Sequence, residues 1–279
     1  MPIARDAYPP GVPCWVDTWQ PDVDAAATFY GGLFGWEFEE RLPGGEVSYR
    51  IARLHGLQVA AVGSLPPGAS QAAWNTYVAV EDVDAVAAAA RAAGGSVLAG
   101  PFDVGDAGRM AALADPSGAE FSIWRARGRT GAELVNAAGS WNWSNLLTTD
   151  MPGSASFYGA VFGWHADAMS FGEDESAMLR LPGYGEFLAQ RDPDLRRRHA
   201  EAHVPPSFSD AIGWMLAAGD EPHWSVTFAV DDPDSIAARA ADLGGCVVVA
   251  PYDVGPVRLG VLRDPQDAEF TVSRYTPPA

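Results

Sequence analysis

The sequence predicts an α+β protein made of two copies of one module, and three observations support this fold class. The chain of 279 residues is 48% apolar and only 19% charged, which is enough apolar surface for a sizeable core. Motifs of the first half return in the second half in the same order. Strand-like and helix-like segments alternate in the same way in each copy. We expect modules at residues 12–127 and 139–275, joined near Gly128–Gly139, that enclose a small-molecule cavity.

The internal repeat is the strongest of these observations. Phe29–Trp36 reads FYGGLFGW and Phe157–Trp164 reads FYGAVFGW. The acidic turn at Val80–Asp84 returns at Val230–Asp234. Further pairs keep the same order: Pro101–Gly105 with Pro251–Gly255, Asp115-Pro116 with Asp264-Pro265, and Ala119–Phe121 with Ala268–Phe270.

Each copy is predicted to contain two β-α-β-β-β units, so that the chain holds four. A strand comes first, an Asp then begins a helix that ends at the Gly-Trp pair, and two or three strands follow. A further strand leads through the acidic turn into an Ala-rich helix that two glycines terminate, and three strands close the copy. The predicted segments are strands Cys14–Trp19, Trp74–Val80, Ser140–Leu147 and Trp224–Val230, and helices from Asp22, from Asp150, over Val83–Ala93 and over Pro233–Leu243.

The second copy carries an insertion between Trp164 and Asp231, which we place near residues 190–220. The run that follows Asp192-Pro193 is basic and favours a short helix. Ser207–Ala217 is predicted to be a second helix. We interpret the insertion as a helical flap. Its basic helix is expected to present a solvated face, and the alternative is a lid that lowers onto a bound molecule.

Charge and cysteine content exclude several classes of partner. The formal net charge is −18, which argues against nucleic-acid backbones and anionic membrane surfaces. Cys14 and Cys246 form no disulfide or zinc motif. No apolar run is long enough for a membrane span, and we expect no signal peptide because Met1–Asp6 has no apolar h-region. We expect a cytoplasmic monomer or homodimer. No dinucleotide fingerprint, P-loop or nucleophile elbow is present.

The repeated motifs resemble the vicinal oxygen chelate superfamily, which includes glyoxalase I, bleomycin-resistance proteins and extradiol dioxygenases. The pattern that carries the resemblance is Asp-x₆-Phe-Tyr-x₃-Phe-Gly-Trp, then the acidic turn, then Gly-Gly, then the Asp-Pro turn with Ala-x-Phe. It occurs in both copies and spans nearly all of residues 12–275. The resemblance implies two curved mixed sheets with helices outside. It does not imply a reaction, because one fold hosts many sites.

The resemblance also implies where a metal would be bound in each copy. In metal-dependent members the ligands come from the first strand, from the strand before the acidic turn and from the final strand. Imidazole, thiolate and carboxylate groups are the usual ligands of divalent metals. None occurs at the matching positions here, so we expect no metal cofactor at the usual site. The positions hold Trp15, Asn75 and Ser122 in the first copy, and Trp143, Ser225 and Thr271 in the second.

A shifted site remains an alternative, because side chains alternate faces along a strand. Asp17 follows Trp15 on the same face, and His223 precedes Ser225 on the same face. Glu120 and Glu269 could complete a His-plus-carboxylate set, although both stand at strand starts where solvated side chains are usual.

The candidate catalytic residues are Asp17 and His223. A carboxylate that points into an aromatic cavity has a raised pKa, which suits acid–base catalysis. Tryptophans near the predicted cavities would stack on a flat ligand. Arg109 and Arg258 could bind an anionic group of the ligand. We favour the alternative that each donates a hydrogen bond to a loop carbonyl. The full set of expected ligand contacts is Trp15, Trp19, Tyr49, Trp74, Asn75, Trp143, Asn145, Arg109 and Arg258.

Three functions fit these observations. The first is a metal-independent enzyme that performs lyase, isomerase, cyclase or oxygenation chemistry on an aromatic or polyketide-like metabolite. The second is a non-catalytic resistance protein that sequesters a drug. The third is a metal-dependent glyoxalase or dioxygenase with shifted ligands. The two copies differ at Asp17 and Asn145, so we expect one dominant pocket rather than two equivalent sites.

Overall fold

The computed structural model describes residues 8–40, 48–65, 68–69, 71–171, 174–201, 204–217, 219 and 221–276. It confirms the predicted fold class. Each copy forms one mixed sheet of eight strands, and each sheet joins two β-α-β-β-β units through their first strands. The strand orders are β2-β3-β4-β1-β5-β8-β7-β6 in the first sheet and β10-β11-β12-β9-β13-β16-β15-β14 in the second.

The predicted elements are present in the predicted order, except for the helix predicted over Ser207–Ala217. The first module consists of β1 Pro13–Gln20, α1 Val23–Phe34, β2 Glu37–Glu40, β3 Tyr49–Leu54, β4 Leu57–Ser64, β5 Ala73–Ala79, α2 Val83–Ala92, β6 Ser96–Val104, β7 Gly108–Ala114 and β8 Glu120–Ala126. The second consists of β9 Ser140–Thr148, α3 Met151–Phe162, β10 His165–Phe171, β11 Asp174–Arg180, α4 Tyr184–Ala189, α5 Leu195–Glu201, a 3₁₀ turn at Pro206–Asp210, β12 Ala211–Ala217, β13 His223–Ala229, α6 Pro233–Asp242, β14 Cys246–Val254, β15 Val257–Arg263 and β16 Glu269–Tyr275.

Helix ends follow the predicted capping residues. The Asp22 carboxylate accepts a hydrogen bond from the backbone N–H of Ala25 at 3.0 Å, and so satisfies a free donor at the start of α1. Asp150 accepts from Gly153 in the same way at the start of α3. Gly35 ends α1 at φ 74° and Gly163 ends α3 at φ 72°, a left-handed conformation that glycine adopts without steric cost.

The prediction of a helix over Ser207–Ala217 is wrong. The 3₁₀ turn occupies its first residues, and the remainder is β12, which pairs parallel to β9 and antiparallel to β11. A short apolar run does not distinguish a buried strand from a helix, and here the sheet supplies backbone partners on both sides. The helix predicted after Asp192-Pro193 is confirmed as α5.

The insertion therefore lies between β11 and β12. It comprises residues 181–210, which we call the flap, whereas His55 and Gly56 alone connect the equivalent strands β3 and β4.

The two modules share one core, because the first helix of each packs against the other module. Phe29 and Tyr30 of α1 contact the ring of Phe270 on β16. In the equivalent arrangement, Phe157 and Tyr158 of α3 contact the ring of Phe121 on β8. The repeated Phe-Tyr pair thus fills the space between the two sheets.

A buried hydrogen-bond network supports this shared core. The Tyr30 hydroxyl accepts from the indole N–H of Trp74 at 2.9 Å and donates to the Asp264 carboxylate at 2.8 Å. Asp264 also accepts from the backbone N–H groups of Gln266 and Ala268, and so shapes the Asp-Pro turn. The repeated Asp therefore serves both a turn in its own module and a tyrosine of the other one.

Candidate functional site

One face of the first sheet carries a buried polar cluster around Asp17. The alternation of β1 places Trp15, Asp17 and Trp19 on this face, and strand register brings Asn75 opposite Asp17 and Tyr77 opposite Trp15. The Asp17 side chain is 0% exposed. We call Trp15, Asp17, Tyr49, Asn75 and Tyr77 the Asp17 cluster.

Three side chains donate hydrogen bonds to the Asp17 carboxylate. The hydroxyls of Tyr49 and Tyr77 donate to Oδ2 at 2.9 and 2.8 Å. The Asn75 amide donates to Oδ1 at 3.0 Å, and the Trp15 indole donates to the Tyr49 hydroxyl at 3.1 Å. A carboxylate offers about four acceptor positions, so Oδ1 retains room for one further donor.

Burial determines the acidity of this cluster. Removal from water raises the pKa of Asp17 to about 6, although the hydrogen bonds from Tyr77, Asn75 and Tyr49 and the charge of Arg129 oppose the shift. Burial and the neighbouring Asp17 charge raise the pKa values of Tyr49 and Tyr77 well above their ordinary range. At neutral pH Asp17 is therefore an ionised base between two hydroxyl donors.

Arg129 borders the cluster, and sequence reasoning missed it. Its guanidinium carbon lies 5.7 Å from the ring centre of Trp15 and 5.8 Å from that of Tyr49. The backbone of Arg129 is fixed at both ends, since its N–H donates to the Ala107 carbonyl and its carbonyl accepts from the Trp124 indole. Arg129 belongs to the connection between the modules, where no periodic pattern marks a functional residue.

Tyr77 was also missed, although a signal for it exists. It stands two residues after Asn75 on β5 and therefore shares its face of the sheet.

The equivalent face of the second sheet has different chemistry. Asn145 occupies the position of Asp17, and its amide donates to the Thr227 hydroxyl at 3.3 Å. The hydroxyls of Ser225 and Thr271 lie 3.3 Å apart. Trp143 contacts the ring of Phe208 from the flap, with centroids 6.3 Å apart. The position equivalent to Asp17 on this face therefore carries an amide instead of a carboxylate.

The donors at the usual metal positions do not fit a divalent metal. In the first module these positions hold an indole, an amide and a hydroxyl, with the Asp17 carboxylate two residues away on the first strand. In the second module they hold an indole and two hydroxyls, with the Asn145 amide in the place of Asp17. Within the described residues, no three His, Cys, Asp or Glu side chains come close enough together to hold a metal ion. Glu120 and Glu269, which a shifted site would use, are both exposed.

The structure does not bring His223 to Asp17. His223 begins β13 in the second sheet, is exposed, and donates from Nδ1 to the Glu221 carbonyl at 2.8 Å. Trp74 and Asn75 point to different faces of β5, and Trp74 packs against Tyr30 in the shared core. His223 and Trp74 therefore do not join the Asp17 cluster.

Arg109 and Arg258 occupy equivalent places in the two modules. Arg109 forms ion pairs with Asp84 and Asp103, and Arg258 forms ion pairs with Asp234 and Asp253. The partners are carboxylates rather than the loop carbonyls that we expected. Each arginine ties the first turn of a helix to an edge strand.

A cavity of about 290 Å³ lies beneath the flap. Its lining comes from the start of the first module, the connection between the modules, the start of β9, the flap and the start of β12. The side chains that define it are Tyr8, Trp141, Trp143, Tyr184, His199 and Phe208. A larger open groove of about 800 Å³ at the junction of the modules contains neither Asp17 nor a tryptophan among its lining residues.

Comparison with known proteins agrees with this architecture. The family model described as Glyoxalase/Bleomycin resistance protein/Dioxygenase superfamily matches residues 15–123, and a Glyoxalase-like domain model matches residues 143–273. The chain is 38% identical to CFP32 of Mycobacterium tuberculosis, named as a candidate glyoxylase, over 98% of both chains. It is 34% identical to the anthracycline biosynthesis protein DnrV of Streptomyces peucetius, over 95% of this chain and 94% of that protein.

Solved structures share the fold at low sequence identity. The Mn(II)-bound glyoxalase from Novosphingobium aromaticivorans superposes with a TM-score of 0.60 at 17% identity, covering 94% of this chain and 82% of that one. The 2,2',3-trihydroxybiphenyl 1,2-dioxygenase from Sphingomonas wittichii superposes with a TM-score of 0.59 at 14% identity, covering 95% and 90%. Across the described residues, no helix has the length and apolar character that crossing a membrane requires.

Proposed function

Since this chain belongs to the glyoxalase/bleomycin resistance protein/dioxygenase superfamily, we propose that it is an enzyme that transfers protons on an aromatic, polyketide-like metabolite, with Asp17 as the base. The observation that carries the proposal is a carboxylate of pKa about 6, completely buried among aromatic side chains. Such a group is ionised at neutral pH and becomes protonated easily when it abstracts a proton. The relative DnrV is named as an anthracycline biosynthesis protein, and this name supports the substrate class.

The surrounding residues supply the other parts of a proton transfer. Tyr49 and Tyr77 keep their protons because their pKa values are raised. Each hydroxyl has one O–H, which donates to Asp17 at rest and is free to turn to a developing oxyanion once Asp17 has taken up a proton. Arg129 adds a positive charge beside the cluster. The indole rings of Trp15 and Trp19 offer flat surfaces for an aromatic substrate.

This proposal assigns no role to a metal. Proton abstraction next to a carbonyl needs a base and a group that stabilises the resulting oxyanion. The carboxylate, the two phenols and the guanidinium provide both. The poor match between the donors present and the needs of a divalent metal supports a metal-independent reaction.

Sequestration without chemistry is the second candidate. It is favoured by the three hydrogen bonds that already hold the Asp17 carboxylate, since a buried and well-satisfied carboxylate also stabilises a rigid pocket wall. A sequestering protein would bind an aromatic molecule and leave it unchanged.

An exchange experiment separates the two candidates. We would incubate the protein with 1-tetralone, a bicyclic aromatic ketone, in D₂O and follow loss of the proton signals next to its carbonyl by NMR. The wild type is expected to accelerate exchange, with a rate that rises with pH around pH 6. Asp17→Asn preserves the shape of the side chain and is expected to reduce the enzymatic rate by roughly 10²–10⁴-fold, the usual contribution of a general base.

Asp84→Asn, which changes an exposed carboxylate of the same module, is the matched control and is expected to retain the wild-type rate. Saturation-transfer NMR would measure 1-tetralone binding by each variant. If wild type and Asp17→Asn both bind the ketone and neither accelerates exchange, the catalytic proposal fails and sequestration is supported. If Asp17→Asn exchanges as fast as the wild type, Asp17 is not the base.

A further inference from the structure

The outer strand of the second sheet, β14, carries an uncovered apolar run. Among the described strands β15 is its only neighbour, so the other edge of β14 faces solvent. Cys246–Ala250 are five consecutive uncharged residues, and all five are exposed. The exposed fractions of Val247, Val248 and Val249 are 41%, 42% and 41%. An edge strand of this kind offers both backbone groups and apolar side chains to another chain.

The other three edge strands of the described sheets are shielded in the ways that natural sheets use. The strand β2, at Glu37–Glu40, has four residues and three of them are glutamates. The strand β10 carries Asp167, which forms an ion pair with Arg180 on β11. In β6, the counterpart of β14, Gly100 adopts a left-handed conformation at φ 84° and interrupts the extended run. An uninterrupted apolar edge is therefore specific to β14.

The register of β14 defines how much of it is available. Val247 pairs with Leu262 and Val249 pairs with Val261, so Val248 is the extra residue of a bulge. Pro251 lacks a backbone N–H and ends the stretch that can pair on the outer side. A partner strand would consequently align with Cys246–Ala250.

This run is symmetric in side-chain size about Val248. An antiparallel alignment of two copies with a two-fold axis at Val248 pairs Val247 of one copy with Val249 of the other. The same alignment pairs Cys246 with Ala250, so that small side chains face small ones and valine faces valine. A two-fold interface requires a surface that complements itself in this way. A second copy of this chain therefore fits the edge.

Charge and area are consistent with a second copy as the occupant. The net charge of −18 makes two copies repel each other, but the run itself is uncharged. The carboxylate of Asp253, further along β14, forms an ion pair with Arg258. With Tyr252, which is 47% exposed, the strand offers roughly 600 Å² of surface. Two copies then bring together about 1,200 Å², where specific interfaces begin, so we expect a weak and reversible dimer.

We propose that β14 is a dimerisation edge, at which two copies of this chain pair antiparallel through Cys246–Ala250 about a two-fold axis at Val248. The second sheets of the two copies then continue into one another. The proposal goes beyond proton transfer and stands independently of it, because Asp17 lies in the other sheet.

Sedimentation velocity between about 1 and 200 µM protein tests the proposal. The sedimentation coefficient of the wild type is expected to rise from the monomer value to the dimer value across this range. Val248→Lys places two like charges against each other at the axis and is expected to remain monomeric throughout. Leu98→Lys is the matched control, because Leu98 is 50% exposed at the equivalent position of β6. It is expected to dimerise like the wild type.

A cross-linking experiment tests the alignment. Facing residues of an antiparallel pair have Cα atoms about 4.5–5.5 Å apart, which a disulfide can bridge. Val248→Cys combined with Cys246→Ser is expected to give a covalent dimer on mild oxidation, which dithiothreitol reverses. Leu98→Cys combined with Cys246→Ser is the control and is expected to give none.

Far-UV circular dichroism and the urea midpoint establish that each variant is folded. The proposal is overturned if the folded wild type stays monomeric at the highest concentration, or if Val248→Lys dimerises as well as the wild type. Loss of the dimer in Leu98→Lys would overturn the two-fold contact in favour of one between β6 and β14. A dimer whose Val248→Cys form does not cross-link would overturn the alignment about Val248.

Discussion

The stability of Asp17→Asn relative to the wild type is expected to increase as the pH rises. The pKa of this carboxyl is about 6 in the folded protein and 3.8 in the unfolded chain. The folded state therefore holds the proton more tightly, so this group favours folding most below pH 3.8 and loses that contribution as the pH rises through 6. The asparagine of the variant does not titrate, so the variant does not lose this part of its free energy of unfolding as the pH rises.

The magnitude follows from the difference between the two pKa values. One pKa unit corresponds to about 1.4 kcal/mol, so the whole effect is about 3 kcal/mol. Because the isoelectric point is about 4.5, measurements should begin at pH 5 to keep the protein charged and soluble. Between pH 5 and 7.5 the same linkage relation gives a gain of roughly 1.5 kcal/mol for the variant relative to the wild type.

Urea unfolding followed by tryptophan fluorescence measures this difference at each pH. Asp84→Asn is the control, because Arg109 lowers the pKa of Asp84 below 3.8 and the group stays ionised across the whole range. Its difference from the wild type should stay constant. A constant or decreasing difference for Asp17→Asn would refute the assignment of a raised pKa to Asp17.

Two further predictions concern the shared core and the metal. Tyr30→Phe is expected to lower the free energy of unfolding by about 1.5–3 kcal/mol, since it removes a hydrogen bond to the buried Asp264 carboxylate. Tyr158 has the equivalent surroundings, the Trp224 indole and the Asp115 carboxylate, so Tyr158→Phe is expected to cost a similar amount in the same urea assay; an unchanged free energy of unfolding for either variant would contradict this explanation. Dialysis against EDTA is expected to change neither the urea midpoint nor the 1-tetralone exchange rate, whereas loss of exchange that zinc or manganese restores would refute metal independence.

The fold could be predicted from sequence because its signals are local and occur twice. The capping Asp residues and the terminating glycines begin and end the same helices in both copies, and the Phe-Tyr motif packs in the same way in both. The strand β12 was predicted incorrectly because its apolar run is short and its partners β9 and β11 are distant in sequence. Sequence alone contains no direct information about such long-range pairing.

The candidate site could be predicted only in part. Alternation along β1 was sufficient to place Asp17 and Trp15 on one face. Arg129 reaches the same cluster from an irregular connection, so neither periodicity nor the repeat indicates it. Trp74 was predicted to contact the ligand together with the other tryptophans. The strand register shows that it lies on the face of β5 that points away from Asp17.

The first helix of each module packs against the other module, so the shared core and the faces around Asp17 and Asn145 are under different evolutionary constraints. Because α1 completes the packing of the second sheet and α3 that of the first, a gene shortened to one copy would encode a protein with an open apolar surface. Both copies must therefore be kept together. The faces that carry Asp17 and Asn145 lie outside this mutual packing, so substitutions there change the chemistry of one half without loosening the other. The duplication thus offers a retained framework on which two different cavities can diverge.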